Sequence, residues 1–306
     1  MLFLKNNHFR TAVLALIIAN IIWGAAPPIF KWALTDIGPF TLAFLRFLIA
    51  SFLIVPFAYK HLTIKRDDIA EVFLLGFLGG MLNISFFFLG LKFAPSINAS
   101  IIGSAGPIFL ILFSFLLLRE KPKSKLILGS LIGLCGVLII MMKPLFSQEP
   151  NMDLVGNGFF FLAMLAGLGH TILGRQLLKK YEAFGITFWT FFVATLCFLP
   201  LFIYENMNKI SVALSPQSIT GILFGAILCS AVADFLFFWA LKYMPASETG
   251  IFVYLYPIVT VLIALPLLGE KPDTFYYIGS LFVFFGIYIA EGRIHYHPLH
   301  LLRKRN

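Results

Sequence analysis

Residues able to do chemistry are scarce in this chain, and most of them sit inside long apolar runs. Asp234, in Ala231-Val-Ala-Asp-Phe-Leu-Phe-Phe-Trp239, is the sharpest case. A carboxylate in such a setting binds an ammonium group, carries a proton, or makes a structural bond, with Arg46 as the available ion-pair partner. Asn20, Asn83 and His170 fall in three other apolar runs and can hydrogen-bond either a ligand or a neighbouring helix. Trp239, Tyr254 and Tyr256 offer faces for stacking or cation–π contact. Trp239 and Tyr243 also suit an interfacial belt, and helical spacing lets only one of Tyr254 and Tyr256 face a cavity. Glu248 and Asn98 each stand at the start of an apolar run. There a carboxylate is favoured by the helix dipole, or serves as a gate.

The elements that hold these residues must be membrane helices. The chain has 306 residues, 60% of them hydrophobic and only 12% charged, with 36 Phe and a mean hydropathy of +0.93. Soluble proteins run at roughly 45–50% and about 25%, so an aqueous enzyme, a nucleic-acid-binding domain and a disordered scaffold are excluded. A helix needs about 20 apolar residues to cross the hydrocarbon. Runs of that kind fall at 12–34, 39–58, 69–91, 96–118, 125–142, 154–174, 184–204, 218–241, 246–268 and 275–291. No run shows the strict alternation of a membrane β-strand. The expected fold is therefore all-α and integral to a membrane, with ten transmembrane helices.

Charge sets the expected orientation. Seventeen of the 23 Lys and Arg fall on segments sharing the side of the N-terminus, five fall on the other side, and Arg46 lies within a run. Basic loops stay cytoplasmic, so both termini are expected inside. The net charge of +9 then reflects loops facing an anionic leaflet and not nucleic acid.

The chain also repeats itself. Residues 89–140 align without gaps on 239–290, with 17 identities in 52 positions. Leu91-Lys92, Pro95, Pro107-Ile108 and Glu120-Lys121-Pro122 recur as Leu241-Lys242, Pro245, Pro257-Ile258 and Glu270-Lys271-Pro272. Five spans per half is an odd number, so residues 151–306 are expected upside down relative to residues 1–150. Inverted repeats of this kind mark secondary transporters, whose substrate sits near the midplane between the halves. Pro107 and Pro257 read as matched hinges, since each interrupts helix hydrogen bonding in mid-span.

These motifs resemble the EamA branch of the drug/metabolite transporter superfamily. The likeness rests on Trp23-Gly24 with Lys31, on Arg46, and on the Leu-Lys-aromatic-x-Pro junctions at 91–95 and 241–245. It rests further on Pro107 and Pro257 and on the Leu-x-Glu-Lys-Pro ends at Glu120 and Glu270. Pro27-Pro28 departs from the small or polar residues common there. The resemblance implies a bacterial inner-membrane carrier with a cavity between spans 1, 3, 4, 6, 8 and 9. It implies substrates among amino acids, other metabolites and drugs. Arg46 then matches a position shared by carriers of many substrates, which favours a structural role over binding a substrate carboxylate.

Other chemistry finds no support. There is no Walker A, HExxH or GxSxG sequence, so transport is expected to run on gradients of protons, other ions or substrate. Cys135, Cys197 and Cys229 lie in apolar runs without paired spacing, and His295, His297 and His300 form no four-ligand site. No metal, no cofactor and no catalytic residue is expected. Gly76/Gly80, Gly129/Gly133 and Gly221/Gly225 suit close helix contact, within the chain or in a homodimer. The partners expected are a small-molecule substrate, a coupling ion and membrane lipid.

Overall fold

The computed structural model describes residues 2–106, 109, 124–146, 152–207, 214–243 and 249–291. Pro107, Glu120, Glu248 and the histidines at 295, 297 and 300 lie outside the described residues.

Among the described residues every regular element is helical. The helices are α1 (Leu2–Ala33), α2 (Pro39–Ala58), α3 (Ile69–Gly76), α4 (Asn83–Phe93), α5 (Ser96–Ser104) and α6 (Ser124–Phe146). They continue as α7 (Met152–Leu177), α8 (Ala183–Asn206), α9 (Pro216–Leu223), α10 (Phe235–Tyr243), α11 (Leu255–Leu268) and α12 (Thr274–Glu291). A π-helical stretch, Phe77–Leu82, joins α3 to α4, and a second, Phe224–Asp234, joins α9 to α10. The repeat offset carries 77–82 onto 227–232, inside the second stretch. A 3-10 turn, Gly250–Tyr254, leads into α11.

Among the described residues, six continuous helices are long and apolar enough to cross a membrane: Arg10–Ala33, Pro39–His61, Arg66–Phe93, Asp153–Leu177, Ala183–Asn206 and Pro216–Tyr243. The apolar parts of α6, α11 and α12 are shorter. The outward faces stay apolar, with Phe52 70% and Leu262 and Leu281 each 69% exposed. Water would penalise so much contiguous hydrocarbon, whereas lipid does not.

Local chemistry fixes the helix starts. Pro39 takes the first helical position of α2, where a missing N–H costs nothing. Ser215 caps α9 by accepting the Ser218 N–H at 3.1 Å, and Pro216 follows it. Packing then pairs α2 with α8, α4 with α7, α6 with α12, α5 with α11, and α1 with α11, α10 and the second π stretch. Aromatic rings fill the α2–α8 seam, where Phe44 stacks on Phe202 at 4.5 Å between centroids. The α6–α12 seam is backbone on backbone. A Cβ on Gly136 would lie 2.6 Å from the Gly279 carbonyl oxygen, so no larger residue fits there.

Three carboxylates tie the ends of the bundle. Glu270 accepts the N–H groups of Ser96 (3.0 Å) and Ile97 (3.2 Å) and the Ser96 hydroxyl (2.7 Å). It also pairs with Lys31 at 2.9 Å, and Lys31 donates to the Ala94 carbonyl at 2.8 Å. One acid thus caps α5 and holds the end of α1. Glu205 accepts from the Thr41 N–H and hydroxyl at 2.7 and 2.6 Å and caps α2. Asp68 accepts from Lys180 and the Tyr181 hydroxyl, each at 2.6 Å.

Candidate functional site: a central cavity

Between the helices lies a cavity of about 300 Å³. Its wall draws on α1, α2, both π stretches, α4, α5, α7, α8, α10 and the chain from Thr249 into α11. It is a small-molecule cavity by size, with mostly apolar walls and a few polar groups.

Asp234, Asn83, Asn20, His170, Tyr256 and Arg46 all line it. They come from α1, α2, α4, α7, α11 and the end of the second π stretch, so the fold gathers groups far apart in sequence. Among the described residues Asp234 has no hydrogen bond and no ion pair, although it shares an electrostatic neighbourhood with Arg46, Cys229 and Tyr256. Among those residues it is also the one acid on the cavity wall.

Arg46 is held, in contrast. Its guanidinium donates to the Ser230 hydroxyl through Nε (3.3 Å) and Nη2 (3.0 Å). It also lies over the rings of Phe30 (5.1 Å) and Phe47 (4.7 Å). A cation buried to 3% exposure survives through such contacts together with the nearby carboxylate.

Two amides are fixed by what they touch. Asn20 Nδ2 donates to the Leu16 carbonyl at 2.7 Å, leaving its buried Oδ1 without a partner among the described residues. Asn83 Nδ2 donates to the Ala163 carbonyl at 2.7 Å, across the α4–α7 seam. His170 Nδ1 lies 3.0 Å from the Leu75 carbonyl, and only an N–H satisfies a carbonyl. On the other side of the cavity Trp23 Nε1 donates to the Cys229 carbonyl at 3.3 Å. A ring N–H of α7 thus bonds the helix entering one π stretch, and a ring N–H of α1 bonds the other stretch. Trp23 also packs on Phe237 at 5.3 Å, completing an aromatic wall.

The remaining expected site residues lie elsewhere. Trp239 does not line the cavity. It packs on Tyr243 at 5.0 Å and against the apolar cluster of Ala12, Ala15 and Leu16. Tyr254 meets Phe284 edge-on at 6.2 Å while Tyr256 takes the cavity. Asn98 donates to Asn157 Oδ1 at 3.0 Å, a buried link between α5 and α7. Pro257 is the third residue of α11, not the middle of a helix. In a first turn its missing N–H breaks nothing. The Val253 carbonyl, four residues earlier, accepts the Ser104 hydroxyl of α5 at 3.3 Å instead.

Sequence reasoning missed Ser230, Ser100 and Thr249 as cavity neighbours. Small hydroxyl residues carry no signal that separates a cavity wall from an interior packing position. It also gave Lys31 and Glu270 no role beyond their place in the motifs, because their partners at 94, 96 and 97 are distant in sequence.

Two stretches of the chain, residues 10–142 and 154–291, match the model of the EamA-like transporter family. The chain belongs to this family. A relative from Archaeoglobus fulgidus described as an uncharacterized transporter is 27% identical over 285 residues, covering 92% of this chain and 98% of its own length. The Bacillus subtilis uncharacterized transporter YetK is 25% identical over 284 residues, covering 91% and 86%. A solved crystal structure superposes with a TM-score of 0.65 at 17% identity over 91% of this chain and 96% of that one, a likeness of fold. The EamA-like family, its transporter relatives and the apolar helices make this chain a multi-pass membrane transporter.

Proposed function

We propose that the chain is a secondary carrier of small metabolites, amino acids or related amphipathic compounds, exporting them across the bacterial inner membrane by alternating access. The observation that carries this reading is the cavity. There Asp234, without a hydrogen bond or ion pair among the described residues, shares one wall with aromatic side chains from both halves and with the amides of Asn20 and Asn83. Such a site suits a ligand with a charged head and an apolar body. Asp234 is the group we assign to a coupling proton.

Ten spans arranged as two inverted repeats, 1–150 and 151–306, with both termini cytoplasmic, complete the reading. Three features support it: the double family match, the gapless internal repeat, and the packing pattern. Spans 2 and 7, 4 and 9, and 5 and 10 pair with their own mates, while the 3–6 contact exchanges with the 1–8 contact. A two-fold relation between halves generates that set of contacts.

Proteoliposomes loaded with single amino acids or amines test the proposal. A carrier gives saturable uptake and counterflow, a channel gives neither, and an enzyme alters its substrate. Failure of every compound to show saturable exchange would overturn the proposal. Orientation is read separately, by labelling cysteines placed at residues 60 and 121, which should react from the cytoplasmic side alone.

A further inference from the structure

The cavity has two polar regions of different character. One is ionic, where Arg46 and Asp234 sit in each other's field. The other lies on the α4–α7 seam and holds Asn83 and His170, both open to the cavity. Two glycines shape this seam. A Cβ on Gly79 would collide with the His170 ring, and one on Gly167 would lie 3.1 Å from Asn83 Nδ2. Gly79 and Asn83 are four residues apart on one side of the seam, and Gly167 and His170 three apart on the other, so His170 and Asn83 are neighbours along it.

Their hydrogen-bonding roles are set by the backbone. Asn83, on the cavity wall, commits one N–H of its amide to the Ala163 carbonyl and keeps Oδ1 as an acceptor. His170 spends Nδ1–H on the Leu75 carbonyl, so the neutral ring presents the Nε2 lone pair. Neither acceptor has a protein partner among the described residues. The hydroxyls nearby have given up their protons as well. Ser100 donates to the Ile97 carbonyl at 2.7 Å, Thr171 to Gly167 at 3.0 Å and Thr190 to Ile186 at 2.9 Å. This side of the cavity therefore accepts hydrogen bonds and donates few.

A buried acceptor left unpaired costs free energy, and a ligand that brings donors recovers it. We propose that the Asn83–His170 seam is a subsite for an N–H-donating head group, a primary ammonium, on a ligand with an apolar or aromatic body. This rests on the carrier reading and assigns the head group to the seam, which leaves Asp234 free for the proton. It also separates two kinds of cation recognition. Aromatic walls such as Trp23 and Phe237 would hold a quaternary ammonium by cation–π attraction. Paired acceptors reject it, because it has no N–H to give.

The test is calorimetry on the purified full-length protein in nanodiscs at pH 7, with phenethylammonium and its N,N,N-trimethyl analogue. Both carry one charge and the same ring. The primary amine should bind at least tenfold tighter. His170→Phe, or separately Asn83→Leu should folding fail in the first, should bring the pair within about threefold. Equal or tighter binding of the trimethyl compound, binding of neither, or a preference that survives both seam variants would overturn the proposal. Flux in liposomes from the same preparations separates the two readings. Saturable exchange without amine preference defeats the subsite and leaves the carrier, and amine preference without exchange does the reverse.

Discussion

Glu270 and Asp234 are both acids of the second half, and they live opposite lives. Glu270 takes three hydrogen bonds and a lysine, and in doing so ties α1, α5 and the end of α11 together. Asp234 has no hydrogen bond or ion pair among the described residues and faces a cavity. Glu205 and Asp68 side with Glu270, since each is consumed by a helix end or a cation. The difference teaches how to sort acids in a membrane chain. An acid that is fully partnered holds the fold, and its charge is spent. An acid left open carries a free-energy penalty that a static scaffold would have no reason to keep.

The same acid-to-amide exchange should therefore act differently at the two positions. Glu270→Gln weakens charge-assisted bonds to Lys31 and the α5 N-terminus. We expect a loss of about 1–3 kcal/mol, read as a lower unfolding temperature in detergent, with amine binding in the cavity unchanged. Lys31→Met should cost a similar amount, and the double variant less than the sum, because the two share one contact. Asp234→Asn should lose less stability than Glu270→Gln, because Arg46 keeps its Ser230 hydrogen bonds and ring contacts without the carboxylate. A larger loss of stability at Asp234 than at Glu270 would erase the distinction.

Much of this is legible in sequence. The apolar runs, the duplication and the polar residues Asp234, Asn83, Asn20 and His170 stand out because polarity in hydrocarbon is rare. Which face each aromatic presents is not legible. A helix that is apolar all round has no periodic stripe to read, and a π stretch resets the register in mid-span. So Trp239, which follows the second π stretch, turns to the protein interior beside α1, while Tyr256 and not Tyr254 takes the cavity. Asn98 reads from sequence alone as a gate or a structural polar residue, because its partner, Asn157, belongs to another helix.

Pro257 gives a smaller effect and sharpens the contrast between rigid ends and adaptable centre. It marks the junction of a 3-10 turn and α11, with the Val253 carbonyl lent to Ser104. We expect Pro257→Ala to keep stability within about 1 kcal/mol, since first-turn prolines give little, yet to slow exchange several-fold by regularising that junction. Unchanged exchange rates would reduce the proline to a static feature.

The smallest effect belongs to the tie at Asp68. The hydrogen bond to Asp68 holds the Lys180 ammonium above its usual range, and burial, helped by the same acid, raises the Tyr181 phenol. Both groups grip their protons more tightly folded than unfolded. Their contribution is complete below about pH 10 and is lost as pH rises through the raised values. Wild type should thus lose thermal stability above about pH 10 slightly faster than Lys180→Met. Parallel alkaline profiles would remove this tie from the set.

The most direct test of the account uses Asp234→Asn in proteoliposomes, with substrate accumulation under an imposed proton gradient compared against substrate counterflow without one. If Asp234 carries the coupling proton while the ligand rests on other groups, accumulation falls to the equilibrium level and counterflow continues near the wild-type rate. Accumulation at the wild-type level in Asp234→Asn would contradict the account and return this acid to the scaffold with Glu270.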